Sequence, residues 1–155
     1  MALQDDGLRG LSFGAAPALV PVRAALAAAG MSAEAGAVLT VDVPLRTPSS
    51  KRAAHRRTGA VAVDMEAAGV AQAARTLGIP WLAIKAVVDG VEDPLPEFLA
   101  GCTTPSGDLR WRGVIESLCG SGEDRRALWR LGRASRQAAL TLRRALDVAL
   151  AAWSP

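Results

Sequence analysis

Thr58-Gly59-Ala60-Val61-Ala62-Val63-Asp64-Met65-Glu66-Ala67-Ala68 sets a short apolar run against two carboxylates that flank a methionine, and Ala-rich helical sequence follows at once. A carboxylate at the C-terminal edge of a strand lies where open α/β sheets bind ligands. A second apolar run, Ile79-Pro80-Trp81-Leu82-Ala83-Ile84-Lys85-Ala86-Val87-Val88, ends the same way, in Asp89-Gly90. The pattern predicts a strand over residues 60–64, a helix over 65–77 closed by Gly78, and a strand over 81–88. Such a β-α-β unit implies parallel pairing and a right-handed crossover. Parallel strands end on one side, so Glu66 and Asp89 are expected at one edge of the sheet, facing a common pocket. That arrangement suits a polyhydroxylated ligand with a protonatable leaving group.

Outward from this unit, residues 1–14 are polar and punctuated by Gly7, Gly10 and Gly14, which reads as irregular chain. A helix is expected over 17–29, starting near a proline and stopping at Gly30. Val38, Leu39, Thr40, Val41 and Val43 form a β-branched run within residues 36–43. A short helix should follow from Ser49 or Ser50 to about Arg57, with Gly59 terminating it. Beyond Asp89, residues 90–109 hold Pro94, Pro96, Gly101, Pro105 and Gly107, a long irregular connection with one turn of helix at 96–100. A short helix over 111–118 and a long one over 123–153 complete one domain: irregular 1–14, α/β 15–122, and a C-terminal amphipathic helix.

Composition sets bounds on function. At 155 residues, 50% hydrophobic, the chain supports one compact soluble domain with a real core. The net charge of +3 is too modest to imply nucleic-acid binding. Cys102 and Cys119 match neither a metal-ligand spacing nor a disulfide framework, so a reducing cytoplasm is the expected location. No signal-peptide pattern is present, and no apolar run reaches spanning length. No metal or organic cofactor is implied.

Thr58-Gly59-Ala60 followed by Val63-Asp64-Met65-Glu66, then Trp81-Leu82-Ala83-Ile84-Lys85-Ala86-Val87-Val88-Asp89, resembles the C-terminal half of the nucleoside phosphorylase superfamily. That superfamily includes purine and uridine phosphorylases and the methylthioadenosine/S-adenosylhomocysteine nucleosidases. The likeness runs from about Pro17 through Leu118-Cys119-Gly120-Ser121 into the Arg/Ala/Leu-rich tail, nearest to hopanoid-associated phosphorylases. It implies a three-layer α/β fold, a mainly parallel or mixed sheet flanked by helices, in a homo-oligomer. The implied reaction is cleavage of an N-glycosidic bond in a purine nucleoside or an adenosyl-hopanoid-type conjugate. Phosphate, as co-substrate, or water would be the nucleophile.

Residue by residue, the resemblance makes Glu66 the acceptor for the ribose hydroxyls and packs Met65 on the sugar. A carboxylate can accept from two vicinal hydroxyls, and charge-assisted bonds are the stronger class. On the residues alone, Glu66 also reads as a first-turn acid that complements the helix dipole. Asp89 would assist departure of the base, which must gain a proton as the bond breaks; the plainer reading is a turn-forming Asp-Gly pair. Lys85, where arginine is usual, is an auxiliary candidate that keeps the charge but lacks the planar fork. Val88 stands where serine is usual. Asp64 reads as a helix cap, His55 as part of a solvated basic face, and Trp81 or Phe98 as core or as a base-stacking ring.

The family's Gly-rich phosphate loop has no counterpart here, because no strand is expected before Gly7. The resemblance therefore predicts a chain truncated at its N-terminus that turns over poorly. The alternative is a non-catalytic module that binds a nucleoside or packs on a partner. On the C-terminal helix, Leu128, Leu131, Ala138, Ala139, Leu142, Leu146, Ala149 and Trp153 share one face. Arg126, Arg130, Arg133 and Arg144 lie opposite, a solvated face of a helix packed on the sheet, or a basic face that can rest on the inner surface of an anionic membrane.

Overall fold

The computed structural model describes residues 8–12, 16–96 and 122–153. Among the described residues, seven elements follow in order: β1 (Leu8–Ser12), α1 (Ala16–Ala28), β2 (Val38–Val41), α2 (Pro48–Thr58), β3 (Ala62–Asp64), α3 (Ala67–Leu77) and α4 (Gly122–Ala152). The fold is α/β. Among the described residues its sheet is three-stranded and mixed, in the order β1-β2-β3, with β1 antiparallel to β2 and β2 parallel to β3. The parallel crossover therefore runs through α2.

Helix boundaries follow local chemistry. Thr47 and Ser50 form a reciprocal capping box, each backbone N–H donating to the other's hydroxyl at 3.2 Å, with Pro48 in the first turn. Gly59 and Gly78 end α2 and α3 at φ 68° and 64°, a left-handed conformation that costs a side-chain-bearing residue more.

Two sequence expectations are corrected. Residues 1–14 are not all irregular, because Leu8–Ser12 pairs with β2 from Leu8↔Val41 to Ser12↔Val38, with a register irregularity between Leu8 and Gly10. Its strand character comes from backbone pairing, which a Gly-punctuated composition does not reveal. Residues 81–88, expected as a strand, join no sheet among the described residues. Leu82 and Ile84 instead pack their side chains against Val22 and Leu26 of α1 and Ala145 and Ala149 of α4, with Met31, Val148 and Trp153 around them. A second cluster joins Ala37, Leu39, Val41 and Ala60 to Ala54 of α2 and to Leu45.

The long C-terminal helix packs on α1 and on this extended segment rather than across the strands. Its inward positions are Ala134, Ala138, Leu142, Ala145 and Ala149, at helical three- and four-residue spacings. Ala139 and Leu146, expected inward, are exposed, Leu146 at 40%. They lie off the centre of the stripe that meets Val22 and Leu26.

Candidate functional site at the C-terminal edge of the sheet

Thr40 and Asp64 are register partners at the C-terminal ends of β2 and β3. Parallel neighbours at one register level point their side chains the same way, and here they meet: the Thr40 hydroxyl donates to Asp64 Oδ1 at 2.8 Å. The two residues also cap α3. Ala67 N–H donates to Asp64 Oδ2 at 3.1 Å, and Ala68 N–H donates to Thr40 Oγ1 at 3.0 Å. Two of the helix's orphan donors are thereby satisfied.

Lys85, on the extended segment, reaches the same carboxylate, with Nζ 2.6 Å from Asp64 Oδ2 and 3.8 Å from Glu66 Oε2. Burial alone would raise the Asp64 carboxyl. Hydrogen bonds from Lys85 and Thr40, the Lys85 charge and the Ala67 N–H together outweigh it and hold the group below the ordinary carboxylate range.

Glu66 is the N-cap residue of α3, not part of its first turn, and its side chain makes no capping bond. With Asp64 and Thr40 serving the helix, the Glu66 carboxylate stands 75% exposed at the sheet edge. Met65 beside it is 49% exposed. An exposed carboxylate next to a half-exposed methionine offers acceptors and an apolar surface to one ligand.

Asp89 has a different partner. Lys51 of α2 donates to Asp89 Oδ2, to Gly90 O at 2.8 Å and to Asp93 O at 2.7 Å, and its side chain is only 12% exposed. The turn is tied further by Gly90 N–H to Asp93 Oδ2 at 2.8 Å, Leu95 N–H to Arg46 O at 2.9 Å, and an Arg52–Glu92 pair. The structure thus joins Asp64 and Glu66 through Lys85 and places Asp89 in a separate clamp. The expected route to a shared edge, two consecutive parallel strands, is absent because residues 81–88 are not a strand.

Lys85 also lines a cleft of about 560 Å³ between α1, α4 and residues 81–87, with Leu26, Met31, Trp81 and Leu142 in its mostly apolar wall. Trp81 is half-buried there. His55 is exposed, its Nδ1 2.9 Å from Ala60 O. Phe98, Cys102, Cys119 and the helix expected over 111–118 lie outside the described residues. Among the described residues, no group of three or more His, Cys, Asp or Glu side chains is placed to hold a metal ion.

Sequence reasoning missed Thr40 and Lys51. Thr40 was legible only as a strand residue, and its role needs the β2–β3 register. Lys51 sits in a basic run that reads as solvated, and nothing in the sequence links it to Asp89.

A match to the phosphorylase superfamily spans residues 6–104. The chain belongs to the phosphorylase superfamily. No curated protein and no solved structure matches it. The matched region of this phosphorylase-superfamily chain contains the whole Thr40–Asp64–Glu66–Lys85 cluster and the Lys51–Asp89 clamp. Membership points to nucleoside phosphorolysis or hydrolysis in general.

Proposed function

We propose that the chain binds a purine nucleoside at the C-terminal edge of β2 and β3 and cleaves its N-glycosidic bond. The observation that carries this reading is the Glu66 carboxylate, exposed beside Met65 and released from helix capping by Asp64 and Thr40. Glu66 accepts hydrogen bonds from the vicinal ribose hydroxyls, and Met65 packs on the sugar. As the C1′–N9 bond breaks, its electron pair leaves with the base, which gains, in net, the proton that the phosphate or water nucleophile gives up. Phosphate or water then forms the new bond to C1′. Asp89 interacts with the departing base. A 5′ substituent of apolar character, as in an adenosyl-lipid conjugate, is favoured by the apolar cleft that Lys85 lines. A three-layer arrangement is favoured by Leu39 and Val41 packing with Ala54 of α2 while Thr40 bonds to α3.

The test is incubation with adenosine and 5′-methylthioadenosine, with and without phosphate, followed by assay of free base. Base release by the wild-type chain is expected. Glu66→Ala should weaken nucleoside binding by about 1.5–3 kcal/mol, the range for a hydrogen bond to a charged group, and leave adenine binding almost unchanged. Equal losses for adenosine and adenine would mean that Glu66 does not read the sugar.

One observation favours a second reading, a nucleoside-binding module without turnover: the Asp89 carboxylate is taken up by Lys51 in the clamp. Nucleoside binding with no free base under any of these conditions would select it. A peripheral contact with an anionic membrane is favoured by α4, whose Arg133 lies over the 68%-exposed Trp129 on its outer side.

A further inference from the structure

The Glu66 carboxylate has little to hold it. It is 75% exposed, forms no capping bond, and meets Lys85 Nζ at 3.8 Å. Lys85 is itself a flexible side chain, 38% exposed, but its ammonium is fixed 2.6 Å from Asp64 Oδ2. Asp64 in turn is 7% exposed on its side chain and receives the Thr40 hydroxyl at 2.8 Å and Ala67 N–H at 3.1 Å. Thr40 ends the chain of contacts at 3% exposure, where its oxygen also accepts Ala68 N–H. Order therefore runs outward from a buried hydroxyl to an exposed carboxylate.

The same anchor fixes both ends of the Glu66–Lys85 contact. Ala67 and Ala68, bonded to Asp64 and Thr40, are the residues directly after Glu66, so the backbone that carries the carboxylate is held by Asp64, which holds the ammonium, and by Thr40, which holds Asp64. Lys85 also lies between Asp64 and Glu66, two carboxylates that would otherwise repel. A carboxylate pre-set in this way can accept from two vicinal hydroxyls at once, whereas a freely rotating one loses that advantage on binding.

We propose that Thr40 and Asp64, acting through Lys85, are positioning residues that set the selectivity of Glu66 for a ribose with both hydroxyls over a 2′-deoxyribose. The inference rests on the ribose-reading role given to Glu66 above. None of the three contacts the reacting atoms; each acts on the geometry of Glu66.

The experiment measures dissociation constants for adenosine and 2′-deoxyadenosine, by equilibrium dialysis, for the wild type and for Thr40→Val, Thr40→Ser and Lys85→Met. The wild type should prefer adenosine by about tenfold or more, the ratio that about 1.4 kcal/mol produces. Thr40→Val keeps the side-chain shape but removes the hydroxyl, and its ratio should fall towards one. Thr40→Ser should restore most of it. If Thr40→Val does not melt cooperatively, Lys85→Met carries the test, because that side chain is partly exposed and its ratio should fall as well. A general loss of structure would weaken both ligands equally and leave the ratio unchanged; that outcome in both Thr40→Val and Lys85→Met overturns the positioning role while sparing the ribose reading. A wild-type ratio near one overturns the ribose reading itself, and this inference with it.

Discussion

Asp64 is where the sequence's most informative motif meets the physics of one side chain. Its carboxylate serves Thr40, Lys85 and Ala67 at once, and their combined effect outweighs the burial that opposes ionisation. In the unfolded chain the same group titrates in the ordinary carboxylate range. Because the folded value lies lower, the unfolded state binds the proton more readily. The contribution to stability is complete above the unfolded value and is lost as pH falls through the folded one. Denaturant melts across the acid range should therefore show wild type and Asp64→Asn far apart at neutral pH and converging in acid. A constant gap at every pH would show that the ionised state of Asp64 stabilises nothing.

At the scale of elements, residues 81–88 and Leu8–Ser12 teach the same lesson from opposite sides. Trp81, Ile84, Val87 and Val88 give the first segment a strand's composition, yet it pairs with no strand among the described residues. Leu8–Ser12 has a loop's composition and is a strand because β2 lies beside it. Strand identity depends on the partner, and one sequence does not name the partner. Helix ends depend on local groups instead, so Gly59 and Gly78 were legible, as was Asp64 as a cap. The Glu66–Met65 edge was legible because it adjoins such a cap. The Lys51 clamp was not, since it joins residues 38 apart in sequence. That clamp is testable in its own right. Lys51→Met leaves Asp89 and two carbonyls without their shared donor, and should destabilise the fold by about 1–3 kcal/mol. Amide exchange at Asp93 and Leu95, whose N–H groups bond to Gly90 O and Arg46 O, should quicken selectively. Unchanged exchange at both amides would mean that the turn holds itself and that Lys51 is incidental.

Across the whole molecule, charge is segregated in a way that its total conceals. The helix α4 carries seven arginines against three acidic residues, a net of +4. The full chain nets +3, so the remaining residues together carry −1. The inner side of α4 is taken by Val22 and Leu26 through Ala145 and Ala149. Its outer side leaves Trp129 at 68%, Leu140 at 55% and Leu150 at 72% exposure, with Arg133 lying 5.3 Å from the Trp129 ring centre. No helix among the described residues is long and apolar enough to cross a membrane, so any lipid contact here would lie along the surface. A phosphate backbone would use the arginines and have little use for the leucines; an anionic lipid interface uses both. Each arginine near such a surface contributes about 1 kcal/mol, so an Arg130→Gln, Arg133→Gln, Arg136→Gln variant should lose most of its partition onto phosphatidylglycerol vesicles at low salt. The wild type should show little affinity for phosphatidylcholine alone and should be released as salt screens the attraction. Equal binding to both vesicles, or full binding by the triple variant, would make α4 an ordinary solvated helix whose arginines keep the protein in solution.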